Sequence, residues 1–347
     1  MKHHPRRIYS TGNPDTDRMI QKLLEEAGRS QDADFLKEII ITALKMSAGD
    51  IERGDIKMMN SAMKELRYAL KIFYPYRFVR KVAIFGSART PKAALDYKIA
   101  RQFAKEIAKS GWMVITGASS GIMQAGNEGA GRQSSFGVNI RLPFEQRANP
   151  VIANDAKLIN FKYFFTRKLI FIRESDATVL LPGGFGTHDE GFETLTLIQT
   201  GKTPPRPVVC LDPPKSNYWK AWLEFLKHQL VKRKMVDQED LGIICFSHDP
   251  AEAARQVTRF YHNYQSMRYI GERLVIRMKR PLSRVQLDRV NQHFKDLVAK
   301  GKFQQHAVPF YEEINEPHTH DLTRLVFHFK RRNFARLYVL IDTINET

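Results

Sequence analysis

One run of residues near the middle of the chain has the composition of an anion site. In residues 177–201, ATVLLPGGFGTHDEGFETLTLIQTG, Gly183, Gly184 and Gly186 lie between an apolar, β-branched run and a helical pattern. Glycines placed there let the backbone turn tightly and approach a ligand closely. Free backbone N–H groups and the positive end of the helix dipole then face whatever sits above the turn, which suits a phosphate. Thr187 reads as the N-cap of the helix, and Glu190 stands three residues on, at capping-box spacing. Glu190 therefore has two readings, a helix cap or a carboxylate presented at the ligand end of its helix.

The elements that must hold this turn can be read around it. Thr178 to Leu181 form a buried strand, ended by Pro182, which cannot donate to a ladder. Phe192, Leu195 and Ile198 continue the helix toward Gly201. Upstream, residues 80–85 read as a strand with Gly86 and Ser87 at its carboxyl end. Residues 112–116 read as a second strand, followed by Gly117 to Gly121 and a helix opening at Ile122 and Met123. Residues 136–140 are a third strand, 158–172 a helix carrying Arg167 and Lys168, and 207–211 and 243–246 two further strands. Helices are expected over 94–109, 218–230 and 250–261. Continuously apolar strands alternating with helices predict a Rossmann-like, doubly wound parallel α/β sheet covered on both faces. Ligands of such sheets bind beyond the strand carboxyl ends. Three glycine turns, at Gly86, Gly117–Gly121 and Gly183–Gly186, fall there and are expected to converge. No GxGxxG follows the first strand and no P-loop is present, which argues against NAD binding and ATP hydrolysis.

The nonapeptide Pro182-Gly183-Gly184-Phe185-Gly186-Thr187-His188-Asp189-Glu190 resembles the PGGxGTxxE motif of the LOG family, often misnamed lysine decarboxylases. Family members are similar to nucleoside 5′-monophosphate phosphoribohydrolases, including those that release free cytokinin. The resemblance implies an upstream Arg-Lys pair, matched by Arg167-Lys168, and it reaches back to Phe85-Gly86-Ser87-Ala88-Arg89, covering about residues 80–261. It implies Glu190 and Arg167 as catalytic residues. The substrate would contact Gly86, Ser87, Arg89, Gly117, Gly121, Met123, Lys168, Gly183, Gly184, Gly186 and Thr187. Hydrolysis of an AMP-like, N6-modified or plain nucleotide passes through a ribosyl cation. A carboxylate near C1′ would stabilise that cation or activate water, and an arginine would hold the phosphate or orient the glutamate. No metal or redox cofactor is needed. The sequence departs from the family in Gly117-Ala118-Ser119-Ser120-Gly121, where more glycines are usual; this bears on base preference. His188 and Asp189 fill the variable pair of the motif, and His188 is read as non-catalytic. A non-catalytic nucleotide- or molybdenum-cofactor-binding protein is the alternative, since such carriers resemble this fold and motif.

Formal net charge is +18 over 347 residues, spread as +3, +9 and +6 across residues 1–78, 79–267 and 268–347. Spread charge serves anionic small substrates as readily as nucleic acid, so nucleic acid is not the expected partner. Cys210 and Cys245 sit in apolar strands and read as core. His318 and His320 are a weak metal pair in a loop. No apolar run approaches a membrane span, and the basic amino terminus lacks an apolar stretch, so a cytoplasmic location is expected. The expected domains are an arm (residues 1–14) with three helices (1–78), the nucleotide-binding domain (79–267), and a small α+β module (268–347). The module reads as strands over 273–278, 303–308 and 325–329, a helix over 283–299, and a strand or helix over 334–344. It is expected to bind a small-molecule effector or to build an oligomer, and the whole to form a homodimer or larger homo-oligomer.

Overall fold

The structure, a computed structural model, describes residues 9–28, 32–47, 49, 51–142 and 147–346. It divides into two compact units, Met1–Glu65 and Leu66–Thr347. The first contains α1 (Pro14–Glu26), α2 (Ala33–Ser47) and the start of α3 (Arg53–Phe73), which continues into the second unit. Asn13 caps α1 by accepting from the Asp15 and Thr16 backbone N–H groups. Ile20, Leu24 and Ile41 form its small buried core. Most of the expected arm, residues 1–8, lies outside the described residues.

The second unit is built on seven parallel strands. In chain order its elements are β1 (Lys81–Phe85), α4 (Leu95–Lys109), β2 (Met113–Thr116), α5 (Ile122–Ala130), β3 (Ser135–Ile140), β4 (Leu158–Phe161) and α6 (Phe164–Glu174). They continue with β5 (Ala177–Leu180), α7 (Phe185–Gln199), β6 (Val208–Leu211), α8 (Tyr218–Phe225), β7 (Ile244–Ser247) and α9 (Pro250–Arg259). The sheet order is β4-β3-β2-β1-β5-β6-β7. The chain winds outward from β1 to β4, then returns to pair β5 against the other side of β1. The switch point thus lies between β1 and β5, where two of the glycine turns begin. β1, β2, β3, β5 and β6 are buried at every position, which is why their sequences read as unbroken apolar runs.

The helix expected over 158–172 is instead a strand followed by a helix. Residues 158–161 pair with Gly137–Ile140, and the Asn139 and Asn160 side chains join across the pair at 2.9 Å. Apolar spacing runs without a break from Leu158 through Phe165, so periodicity alone could not see the change.

A second sheet follows, with β8 (Tyr264–Ile270), β9 (Arg273–Met278), α10 (Arg284–His293), β10 (Val298–His306), β11 (Thr323–Phe329) and α11 (Phe334–Asn345). It is antiparallel, in the order β10-β11-β9-β8. β8 was not anticipated, and it runs through the boundary expected between residues 267 and 268. The helix expected to reach 299 stops at His293, and residues 298–306 are strand. The ambiguous 334–344 segment is helix. α11 belongs to the core shared with the parallel sheet. The Asn345 side chain there accepts from the backbone N–H groups of Asn263 and Tyr264, at 2.9 and 2.8 Å. Among the described residues no helix is long and apolar enough to cross a membrane.

Candidate active site

The three glycine turns meet at the carboxyl ends of β1, β2 and β5. The Ser87 N–H donates to the Pro182 carbonyl at 3.1 Å, and the Ile122 N–H donates to the Ser87 carbonyl at 3.0 Å. These bonds stitch the turns into one surface. Gly183 is wedged within it: a Cβ there would lie 2.1 Å from Thr187 Oγ1 and 2.9 Å from the Ser87 nitrogen. Only glycine fits that approach.

Gly184, not Thr187, is the N-cap of α7. Thr187 lies within the first turn, buried, with its N–H donating to the Gly184 carbonyl. The expected capping box between Thr187 and Glu190 therefore does not form. The helix starts three residues earlier because Gly184 takes the extended conformation an N-cap needs. Phe185 and Gly186 open the helix beside the cavity. Glu190 is released from capping and turns inward, 5% exposed.

A cavity of about 830 Å³ lies over these turns. Of the expected residues it brings together Gly86, Ser87, Arg89, Met123, Arg167, Gly183, Gly184, Gly186, Thr187 and Glu190. Gly117, Gly121 and Lys168 do not line it. Gly117 acts from behind: a Cβ there would sit 2.5 Å from the Arg167 guanidinium and 2.6 Å from the Met123 sulfur. Gly121 has φ +64° and packs against the Ser87 and Ala88 backbone. In the shortened glycine run, Ala118 takes φ +62°, a left-handed conformation that costs a non-glycine residue about 1–2 kcal/mol.

The electrostatics centre on α6 and α7. Arg167 is half-buried; its Nε donates to the Val138 carbonyl at 2.9 Å and its guanidinium lies 4.9 Å from the Phe171 ring centre. Burial lowers its pKa and the Glu190 charge opposes this, yet a guanidinium stays protonated at any working pH. Among the described residues no hydrogen bond joins Arg167 to Glu190. Lys168 is the cation paired with it, at 3.4 Å from Glu190 Oε2, and it also reaches Glu193 at 2.7 Å and Asp189 at 3.0 Å. Glu190 Oε2 is buried without a hydrogen-bond partner. Burial pushes the Glu190 carboxyl pKa above the ordinary glutamate value, and Lys168 and Arg167 pull it back only in part. The arrangement is a desolvated carboxylate beside two cations, in a cavity lined by the glycine turns after β1 and β5. That set can bind an anion and carry out acid–base or cation-stabilising chemistry.

Residues 116–257 match a protein-family model described as "Possible lysine decarboxylase". The LOG-like resemblance therefore holds over this segment. The LOG-like segment contains α5 to β7 and most of α9, and so both Arg167 and Glu190. Similar solved structures include the molybdenum cofactor carrier protein from Chlamydomonas reinhardtii. It is 23% identical, covers 52% of this chain and 97% of that chain, and gives a TM-score of 0.36. TM1055 is 20% identical over 52% of this chain and 99% of that chain, with a TM-score of 0.38. DNA processing protein A from Helicobacter pylori is 17% identical over 53% of this chain and 82% of that chain, with a TM-score of 0.38. No curated protein matches the chain.

Sequence reading missed two features of the LOG-like segment. Phe164 and Phe185 line the cavity mouth, half exposed and 97% exposed respectively. Their signal was an aromatic at each site flank, in FFTRK and PGGFGT. Tyr218, on α8, clamps the Gly183 peptide. Its hydroxyl donates to the Gly183 carbonyl and accepts from the Gly183 N–H at 3.3 Å. The same oxygen lies 2.7 Å from His188 Nε2. Because the hydroxyl proton is already given to Gly183, His188 must donate, which places its proton on Nε2. Burial lowers the His188 pKa, in keeping with a neutral ring. Nothing local in the sequence links residue 218 to residue 183. The two loop histidines have other neighbours: His318 packs on Phe78, and His320 Nε2 contacts the Glu313 carbonyl oxygen.

Proposed function

We propose that the cavity binds a purine nucleoside 5′-monophosphate, AMP-like or N6-modified, and hydrolyses its N-glycosidic bond to free base and ribose 5-phosphate. The observation that carries this reading is Glu190, a buried carboxylate that lines the cavity beside the Gly183–Gly186 turn and is ion-paired with Lys168 at 3.4 Å without a hydrogen bond to that oxygen. The N–H groups of the turn and the α7 dipole take the phosphate. Arg167 adds positive charge from the cavity wall. As the C1′–N bond breaks, its electron pair leaves with the base, which gains a proton, and positive charge develops on the ribosyl ring. Glu190 stabilises that charge and accepts a proton from the water whose oxygen joins C1′. Phe164 and Phe185 offer apolar surface to the base.

Decarboxylation through a lysine Schiff base does not fit these residues. Among the described residues no lysine lines the cavity. Burial lowers the Lys168 pKa, but Glu193, Glu190 and Asp189 outweigh it and hold the ammonium protonated, whereas a Schiff base needs the free amine.

The test is a panel of ribo- and deoxyribonucleotides, including N6-modified adenines, with chromatographic detection of base and ribose 5-phosphate. Release of base from monophosphates, and poor turnover of the matching nucleosides, is expected. Tight nucleotide binding with no base released across the panel would favour the carrier reading instead. Self-association is part of the proposal; light scattering at micromolar concentration tests it.

A further inference from the structure

A second cavity, of about 500 Å³, lies at the opposite end of the parallel sheet. Arg80, Asp176 and Arg206 stand just before β1, β5 and β6, so their cavity faces the amino ends of the strands. Its other wall comes from β8, through Tyr264, Gln265, Ser266 and Met267. It shares no lining residue with the cavity over the glycine turns.

Four cations line it, Arg80, Arg173, Lys202 and Arg206, against one carboxylate, Asp176. That carboxylate is already engaged. One oxygen accepts from Arg80 at 2.7 Å and the other from the Lys81 N–H at 2.9 Å. Arg80 itself lies flat on the Tyr261 ring, 3.7 Å from its centre, and donates to the Gln265 carbonyl. Arg206 is 3% exposed, yet its guanidinium meets only neutral acceptors: the Ile172 and Ser175 carbonyls and the Ser175 and Thr203 hydroxyls. Its Nε has no hydrogen-bond partner. Closing the carboxyl end of α6 accounts for the two carbonyl contacts. It does not account for burying a full positive charge that feels Asp176 only at a distance and, among the described residues, has no carboxylate in hydrogen-bond contact, which is costly. Lys202 has no carboxylate partner among the described residues, and Arg173 meets only Glu174, at 3.3 Å and outside the lining.

We propose that this cavity is an anion-binding site for a small phosphorylated molecule, distinct from the site over the glycine turns. Three cations are left without a carboxylate in the lining. A single carboxylate ligand would answer one of them, whereas a phosphate monoester brings a charge of about −1.5 to −2 near neutral pH. Arg173 and Arg206 supply planar forks suited to phosphate oxygens. Leu169, Ile172, Pro204, Pro205 and Met267 supply apolar wall for the rest of the molecule, and the volume is that of an ordinary small-molecule pocket. The cavity touches α6 at Leu169, Ile172 and Arg173, within two turns of Arg167 and Lys168 on the same helix.

The proposal does not rest on glycosidic cleavage, so it is tested by binding. Glycerol 3-phosphate is titrated into the full chain, and hydrogen exchange locates where it binds. Slowed exchange over residues 173–177, 202–207 and 264–267 is expected. In Arg173→Glu/Lys202→Glu that protection should disappear and the corresponding affinity fall about ten-fold or more. Any protection over residues 183–190 should persist. Both side chains are exposed, so the fold should survive; if the double variant does not fold, Lys202→Gln alone should weaken this binding at least three-fold. Absence of protection at the sheet's amino end, or protection unchanged in the variants, overturns the proposal.

Discussion

The two sheets each bury a glutamate, and they treat it in opposite ways. Beside the antiparallel sheet, at the end of the short helical turn Tyr311–Glu313, Glu313 is fully buried and both its oxygens are bonded. One oxygen accepts from Arg277 at 2.7 Å; the other accepts from Arg324 at 3.1 Å and from the Phe310 N–H at 3.0 Å. Burial alone would raise its pKa, but these donors outweigh it and hold the carboxyl below its ordinary value. In the parallel sheet Glu190 is buried almost as deeply, keeps an oxygen without a hydrogen bond, and has its pKa raised. A buried carboxylate with both oxygens hydrogen-bonded is a structural fastener. One left partly unanswered beside a cavity keeps its reactivity available. The difference lies in what surrounds each residue, since both are glutamates in helical segments.

The comparison can be broken most severely at Glu313. Glu313→Ala strands Arg324 in the interior and leaves Arg277 only Glu316, and denaturant unfolding should show a loss of roughly 3–5 kcal/mol. The linkage has a definite sign. A folded-state pKa below the unfolded one gives stability that is present above about pH 4.5 and lost as pH falls through the lowered value. The variant should therefore show a shallower acid-unfolding limb than the parent. An unfolding midpoint unchanged by Glu313→Ala would contradict the fastener reading.

Glu190→Gln should do the reverse. Turnover is expected to fall by ~100-fold or more, while the unfolding midpoint moves far less than in Glu313→Ala. Near-normal turnover would remove Glu190 from the chemistry.

A smaller effect sharpens the electrostatic half of the comparison. Activity that needs ionised Glu190 is lost as pH falls through its raised pKa, so the acid limb of the kcat/KM profile should lie above 4.5, the ordinary glutamate value. Lys168 lowers that pKa. Lys168→Met should then move the limb to higher pH. A limb that stays in place, or moves down, would show that the titrating group is not Glu190.

The smallest expected effect is at Tyr218. Tyr218→Phe keeps the ring against Trp219 and loses the hydroxyl that clamps Gly183. One neutral hydrogen bond contributes about 1 kcal/mol, so nucleotide affinity should weaken about five-fold with little change in unfolding. An affinity equal to that of the parent would mean that the turn holds its shape without the clamp.

Sequence alone determined the architecture of residues 81–259, because strands buried on both faces must be written as apolar runs and their turns as glycines. It also determined which turns would meet, since parallel strands bring all their carboxyl ends to one side. Arg167, Glu190 and the glycines that follow β1 and β5 line one cavity. Local pattern misled where two periodicities share the same residues: 158–161 continued a helical spacing, and Thr187 with Glu190 had the spacing of a capping box. Tertiary structure alone decided that Gly184 would cap α7, that Lys168 would pair with Glu190, and that Tyr218 would reach back to Gly183. It alone decided that β8 would close the amino end of the sheet over Arg206. The physical reason is the same in each case. Backbone geometry and burial have a period that is written along the chain, whereas the partner of a buried charge or an open peptide group is fixed by distance in space.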